Sequence, residues 1–415
     1  MRTRPAPDAL RRGLVLAAIS ACTLGDTCVV ESFQVIFERF GEGTAARATP
    51  DGGYILAGHS TDPASGITDA HLVKTDAAGW IEWEHTWGGD DADSFGDVAV
   101  LPDGSYLAAG VRDFGAPAGS TAYLVAVEPD GRTRWERSIE GSAGAWIEAV
   151  APVANGGCLV AGGRVGSGGG DAYVAKLDAE GTLEWQHTLG GSAYDALWSA
   201  AQTSDLGYVV AGESGSLGNG RRDAWLIKLD ASGAITWQRS FGGTDDDAAR
   251  SARPTSDGGF VIAGYTYSSS SPSFGGLAYL VKTDAAGNAE WQQTYPASAS
   301  PGLGSGITSI LPLADGDYLL AGYTNLLSVP HMGVVADGWL ARLDAHGGTR
   351  WQRVFPVASD HPGPVGFESV DASPLGGFVL AGSQLDVPYP HPTLTKTDES
   401  GRVAAIDGDS TGARH

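Results

Sequence analysis

Seven copies of a unit of about fifty residues, four short strand-like runs in each copy, and no helical period within any of them predict an all-β fold: a seven-bladed β-propeller of four-stranded antiparallel blades. The unit is clearest where it closes a strand on glycine. DGGYILAG at Asp51 to Gly58 returns as DGSYLAAG, NGGCLVAG, DLGYVVAG, DGGFVIAG, DGDYLLAG and LGGFVLAG, ending at Gly110, Gly162, Gly212, Gly264, Gly322 and Gly382. These glycines stand 52, 52, 50, 52, 58 and 60 residues apart. Self-similarity at such a period marks a unit that cannot bury its apolar face alone and must stack on its neighbours.

Within a unit, strand A is a short run such as DVAVLP from Asp97 or SARPTS from Ser251, which leads into the DGG turn. Glycine supplies the positive φ that a tight turn needs, so DGG feeds directly into the apolar strand B. Strand C reads AHLVKTD from Ala70, AYVAKLD from Ala172, AWLIKLD from Ala224 and AYLVKTD from Ala278. It ends at a second turn, Asp-x-x-Gly, whose aspartates Asp76, Asp130, Asp178, Asp230, Asp284, Asp344 and Asp398 read as turn formers. Strand D carries a tryptophan four residues after the turn glycine, at Trp83, Trp135, Trp185, Trp237, Trp291 and Trp351. A Gly-rich loop then returns to the next strand A.

Counting strands also predicts how the ring closes. The last unit runs through TLTKTDESG at Thr393 to Gly401 with no tryptophan four residues on. VIFERFGEG at Val35 to Gly43 aligns with ITWQRSFGG at Ile235 to Gly243, which places Phe37 at the tryptophan position. The N-terminal strand is therefore expected to join the last blade, removing the free edges of an open array. The alternative is closure by Val403 to Ile406, with the N-terminal strand as an extra edge.

These units resemble a known group. The D-x-x-G-x-x-x-W segment is similar to the tryptophan-docking repeats of quinoprotein (PQQ-like) propellers, one residue shorter than their usual D-x-x-T-G-x-x-x-W. A closer resemblance is to repetitive bacterial propeller proteins built on DGG-y-i-l-a-G and K-t-D-x-x-G-x-x-x-W units, often lipoproteins or surface proteins of unassigned role. It covers residues 33 to 403 and implies a fold in which each tryptophan packs between blades, without implying an activity. Because the tryptophans repeat in six blades they serve packing, whereas a quinone site would be unique.

Arg2, Arg4, Arg11 and Arg12 precede a short apolar run, Leu14 to Ile19, followed by Ser20, Ala21 and Cys22. This is the form of a secretory signal with a lipobox-like end. Residues 1–21 are expected to be removed and Cys22 acylated, with 22–32 a tether, 33–403 the propeller and 404–415 a disordered C-terminal tail. An ordinary signal cleaved nearby would leave Cys22 inert. Arg11 and Arg12 also resemble a twin-arginine export signal, although such pairs precede many apolar runs. No other apolar stretch approaches the ~18 to 20 residues that span a bilayer. The expected location is the cell envelope, at the outer membrane or cell surface, with an N-terminal lipid as the membrane contact and the protein a monomer.

The net charge of −23 becomes −26 once the four arginines and Asp8 of residues 1–21 are gone, which argues against nucleic acid and anionic lipid heads as partners. Of three cysteines, Cys22 is the anchor candidate. Cys28 and Cys158 are open to a disulfide in an oxidising compartment, or Cys158 stays a buried free thiol. Nine histidines are scattered without a repeated partner. There is no G-x-S-x-G elbow, no D-x-G-x-x-W box and no acid pair that stands out from the turn aspartates, so no catalytic residue and no cofactor is assigned. A carboxylate pair assembled across blades, for glycan hydrolysis or cleavage by a lyase, is the enzymatic alternative.

The A-to-B and C-to-D turns are nearly constant and share one face, while the B-to-C and D-to-A loops vary and share the other. Loops on a rigid ring carry recognition, so Tyr265, Tyr267, Tyr323, His331, Tyr389 and His391 are the candidate contacts for a protein or glycan partner. Acidic clusters stand on the same face, Asp90, Asp91 and Asp93 in one loop and Asp245, Asp246 and Asp247 in another. Closely spaced carboxylates with glycine can cage calcium, although neither cluster has EF-hand or nonapeptide spacing, and Asx turns account for them equally. The expectation is a non-catalytic scaffold. A ligand-binding or hydrolytic propeller would instead show unlike, non-repeated polar residues around the central channel.

Overall fold

Turn chemistry sets where each blade folds back. The computed structural model describes residues 14–18, 32–37, 40–115, 119–166, 169–268, 276–295, 304–329, 333–356, 364–386 and 389–403. In it the second residue of each DGG turn sits at positive φ, as at Gly52 (87°) and Gly258 (84°). The Gly52 amide donates to the Thr49 carbonyl at 2.9 Å, and the Gly53 amide to the Asp51 carboxylate at 3.1 Å. Blade 4 reads DLG, and there Leu206 takes the same conformation at 64°. At the C-to-D turns all seven predicted aspartates accept backbone amides, as Asp284 does from Ala286 at 2.9 Å and Asn288 at 2.8 Å.

Seven antiparallel sheets result. The A strands are Phe40–Ala48, Ala92–Val100, Ala145–Pro152, Asp195–Gln202, Asp247–Pro254, Gly304–Pro312 and Pro364–Ala372. They contact one another in a closed ring and wall a central channel, with B, C and D following outward. Blade 7 takes its outer strand, Ser32–Ile36, from the other end of the chain, paired antiparallel with Tyr389–Thr397. The N-terminal closure is thus the one used. Leu14–Ala18 pairs along the outer side of Ser32–Ile36 as a fifth strand. That segment lies within the span expected as a signal, so in a processed chain blade 7 would end at Ser32–Ile36.

The alignment of the closing strand needs correction. In blades 1, 3, 4 and 5 the tryptophan pairs with the C-strand lysine, as Lys74 with Trp83 and Lys228 with Trp237, and in blades 2 and 6 with Ala126 and Arg342 at the same place. In blade 7 Lys396 pairs with Phe33, so Phe33 and not Phe37 holds the tryptophan position. Phe37 occupies the place of Phe241 instead, its amide donating to the Pro392 carbonyl at 3.1 Å. The FGEG that suggested the other register belongs to the inner strand of blade 1, where the glycines meet strand B.

Apolar burial is divided among the blade junctions, and each of the seven buried clusters draws on two adjacent blades. Leu124 and Val160 meet between blades 2 and 3, and Phe33, Tyr54 and Leu394 between blades 7 and 1. The C-to-D turn glycine admits the aromatic ring of the preceding blade. A Cβ on Gly181 would stand 2.8 Å from Trp135, one on Gly131 3.0 Å from Trp83, and one on Gly79 2.7 Å from Phe33. Removing water from these rings is the main force joining blade to blade.

Beneath the DGG turn of blades 1, 3, 4 and 5 the C-strand lysine is buried and neutralised. Lys282 Nζ lies 2.7 Å from Asp257 and 2.9 Å from Glu290, and Lys74 Nζ 2.8 Å from Asp51 and 2.7 Å from Glu82. An ammonium group is taken from water only with such partners. Cys158 is a buried free thiol, pushed up to about 12 by burial, while Cys22 and Cys28 lie outside the described residues.

Candidate functional site

Every inner strand carries a β-bulge, and the bulge falls at one equivalent residue in all seven: Thr44, Gly96, Glu148, Trp198, Arg250, Thr308 and Glu368. Two residues there oppose one on strand B, which re-aims the extra side chain. All seven line the central channel, a cavity of about 470 Å³. The bulge also explains why the repeat closes strand B on glycine. A Cβ on Gly58, Gly110, Gly162, Gly212, Gly264 or Gly322 would fall on the carbonyl oxygen two residues before the bulge, that of Glu42, Ser94, Trp146, Ala196, Ala248 or Gly306. Only glycine lets the strands approach so closely.

The residue after the bulge stitches the blades together at the channel wall. Ser199 Oγ accepts the Ala252 amide at 3.0 Å, Ser369 Oγ the Ala46 amide at 2.8 Å, and Asp97 Oδ2 the Val150 amide at 3.1 Å. The backbone frame is therefore fixed, while the chemistry it presents differs from blade to blade.

That chemistry is concentrated in blades 3, 4, 5 and 7. The Arg250 guanidinium lies over the Trp198 ring, 4.0 Å from its centroid, and 5.5 Å from that of Tyr265. Two aromatic faces thus hold it by cation–π attraction. Burial works against its charge, but the neighbouring Tyr265 and Glu213 hold its pKa above the usual arginine range. Glu148 is raised to about 7, first by burial and then by the charge of Glu368, with Arg250 and the Trp146 indole pulling the other way. Desolvation raises the Glu368 carboxyl as well, helped by Glu42 and opposed by Arg250. Channel water nevertheless reaches Glu368, and that access governs, because water screens the charge. Among the described residues Arg250, Glu148 and Glu368 form no ion pair. Nearer the DGG face Arg47 bridges Asp97 at 2.6 Å, and Arg253 donates to Ser199 Oγ at 3.0 Å.

Of the predicted contacts, Tyr265 reaches the bulge layer, its ring 5.5 Å from the Arg250 guanidinium, while none of the tyrosines is among the residues that line the cavity itself. Tyr265 and Tyr323 directly follow the closing glycines of blades 5 and 6, and Tyr323 covers Gly306. Tyr267 is 42% exposed at the rim and meets Tyr265 edge-on at 5.7 Å between centroids. His391 is elsewhere, in strand C of blade 7 with Nδ1 3.0 Å from the Phe37 carbonyl oxygen. Tyr389 begins that strand, paired with Asp386, and His331 lies outside the described residues.

The aspartate clusters divide by role. Asp93 and Asp247 are buried and occupied: Asp93 accepts the Gly89 and Asp113 amides at 3.1 and 3.0 Å, and Asp247 accepts the Gly243 amide at 2.8 Å and Ser268 Oγ at 2.7 Å. Asp195 does the same in blade 4, accepting the Gly191 amide at 2.9 Å and Ser216 Oγ at 2.7 Å. Burial raises Asp93 to about 6. Asp246 bridges Arg222 at 3.0 Å, and Asp90, Asp91 and Asp245 face solvent. Among the described residues no group of three or more His, Cys, Asp or Glu side chains is placed to hold a metal ion.

Sequence reasoning missed Glu148, Trp198, Arg250 and Glu368. A signal was present, because each stands at the same offset before its closing glycine, Arg250 to Gly264 as Glu148 to Gly162.

No protein-family model matches the chain, and no curated protein sequence does. Solved structures do match. The chain is similar to Sqt1 from Chaetomium thermophilum, at 13% identity and a TM-score of 0.50 over 87% of this chain and 97% of that one. It is also similar to the β-propeller domain of the Trilobed protease from Pyrococcus furiosus (9% identity, TM-score 0.49, 91% and 100% covered). A protein of unknown function from Bacteroides caccae is a further match (15%, 0.43, 69% and 96%). At such identities the likeness concerns the propeller fold alone.

Proposed function

We propose that this propeller is a binding scaffold, not an enzyme, exported and held at the cell envelope by a lipid on Cys22. In this reading it belongs with the repetitive DGG-type propeller lipoproteins, acts as a monomer without a cofactor, and takes a protein or glycan partner at the channel mouth formed by Tyr265, Tyr267 and Tyr323. One observation carries the reading: seven equivalent bulges present six side chains of four kinds, two Thr, two Glu, one Trp and one Arg, to one cavity, a variety that packing alone does not require. Pockets with a few convergent polar groups and aromatic walls are the usual form of ligand sites.

The test is affinity capture from the source envelope with the native chain and with an Arg250→Ala form of unchanged melting temperature. A partner held by the first and lost from the second supports the reading, and equal capture by both removes the channel from it. Acylation is checked by the mass of the mature N-terminus, which an inert Cys22 would leave unmodified. The enzymatic reading has one point in its favour, since a carboxyl at about 7 such as Glu148 suits a general acid. Turnover of a bound glycan would establish it.

A further inference from the structure

We infer that the channel receives the sugar end of a glycan, held between the Trp198 ring, with Tyr265 beside Arg250 just beyond the cavity, and the polar groups of Arg250, Glu148 and Glu368. This rests on the reading of the channel as a binding site and names what enters it. The charged groups of the channel do not satisfy one another. Arg250 offers only donors, and its orientation is fixed by the rings on which it lies. Glu148 and Glu368 in their ionised form offer only acceptors, and neither forms an ion pair with Arg250.

A simple anion drawn to Arg250 would meet two carboxylates in the same cavity, and a simple cation drawn to the carboxylates would meet the guanidinium. A polyhydroxylated ring meets neither conflict. Its hydroxyls accept from Arg250 and donate to the glutamates, while its C–H faces lie against aromatic rings. The cavity, about 470 Å³, falls within the range of small-ligand sites. Tyr267, 42% exposed, leaves an aromatic surface at the rim for the next residue of a chain entering end-on.

The experiment is calorimetric titration of the full chain with hexoses, N-acetylhexosamines and hexuronates, with spermidine and citrate as the cationic and anionic comparators. It is run beside the envelope capture described above. The variants are Arg250→Gln and Trp198→Ala, with Arg132→Ala on the opposite face as control. Sugar binding that weakens tenfold or more in both channel variants and not in the control supports the inference. Binding of spermidine or citrate without any sugar overturns it and leaves the channel a ligand site. Capture of a protein that depends on Arg250, with no sugar bound, overturns it in the same way. Neither capture nor binding overturns both readings. Should Trp198→Ala fail to fold, Glu368→Gln replaces it, since water already reaches that side chain.

Discussion

At the rim of each blade a turn glycine meets the aromatic ring of the blade before it; at the hub a bulged residue meets the channel. Both places belong to the same repeated unit and both depend on glycine, yet they tolerate different things. At the rim the ring itself is fixed as tryptophan in six blades and phenylalanine in the seventh, because a Cβ on Gly79 or Gly181 would already crowd it. At the hub glycine is fixed on strand B, and the residue it accommodates across the ladder ranges from Gly96 to Trp198. Close packing constrains whatever fills a junction between blades, whereas a side chain aimed into the channel has no such junction to fill. One frame therefore serves stability at the rim and, in the proposed reading, recognition at the hub.

Phe33→Ala strikes the rim hardest, because this side chain is fully buried at the closing junction. A loss of about 3 to 5 kcal/mol is expected, read as the shift of a urea midpoint. Phe37→Ala empties a neighbouring position without undoing the ring docking on Gly79, so equal losses of docking in the two variants would contradict the corrected register. Gly212→Ala strikes the hub frame by placing a methyl on the Ala196 carbonyl. It is expected to cost ~3 kcal/mol and to weaken capture at the channel as well, whereas Phe33→Ala measured where it is still folded leaves capture intact.

Acid separates the two regions further. Burial pushes Asp257 up, but Lys282, the Thr255 hydroxyl and the Gly259 amide outweigh it and hold it at about 2. A depressed carboxyl stabilises the fold above its unfolded value of about 3.9 and loses that contribution as pH falls through about 2. Melting temperature should fall between pH 4 and pH 2, and Asp257→Asn should flatten that fall. Glu148 has the opposite sign. Raised to about 7, it costs nothing below its unfolded value, and its cost is fully present above pH 7. Glu148→Gln should therefore raise the melting temperature at pH 8 and leave it unchanged at pH 4. The smallest effect is expected at the exposed aspartates: Asp90→Asn, Asp91→Asn and Asp245→Asn should each shift stability by less than ~0.5 kcal/mol, with calcium and chelator giving the same melt.

Blade number, strand order, turn aspartates and the donor of the closing strand were legible in the sequence because local rules set them: DGG turns, short apolar runs and the tryptophan spacing. The register of the closing strand was not. FGEG mimics the FGG that follows strand D in blade 4, and only the pairing of Phe33 with Lys396 separates the two alignments. Tyr265 and Tyr323 were picked as residues of variable loops, and both lie instead within strand B, while the bulge residues were passed over. A bulge is a relation between two strands, and its mark in the sequence, a glycine on the partner strand, reads equally as part of a turn motif.

Ring closure also bears on how the chain assembles. Six junctions join units adjacent in sequence, and each can form as soon as its two blades exist, with short loops to close. The seventh brings residues 33–36 to 393–396, so its loop is nearly the whole chain, and contacts of such separation form late and slowly. Until then the inner strands of blades 1 and 7 lack a neighbour, and Phe33 has no glycine to cover. The strand that precedes every inner strand in the chain waits for the last blade before it finds its partner.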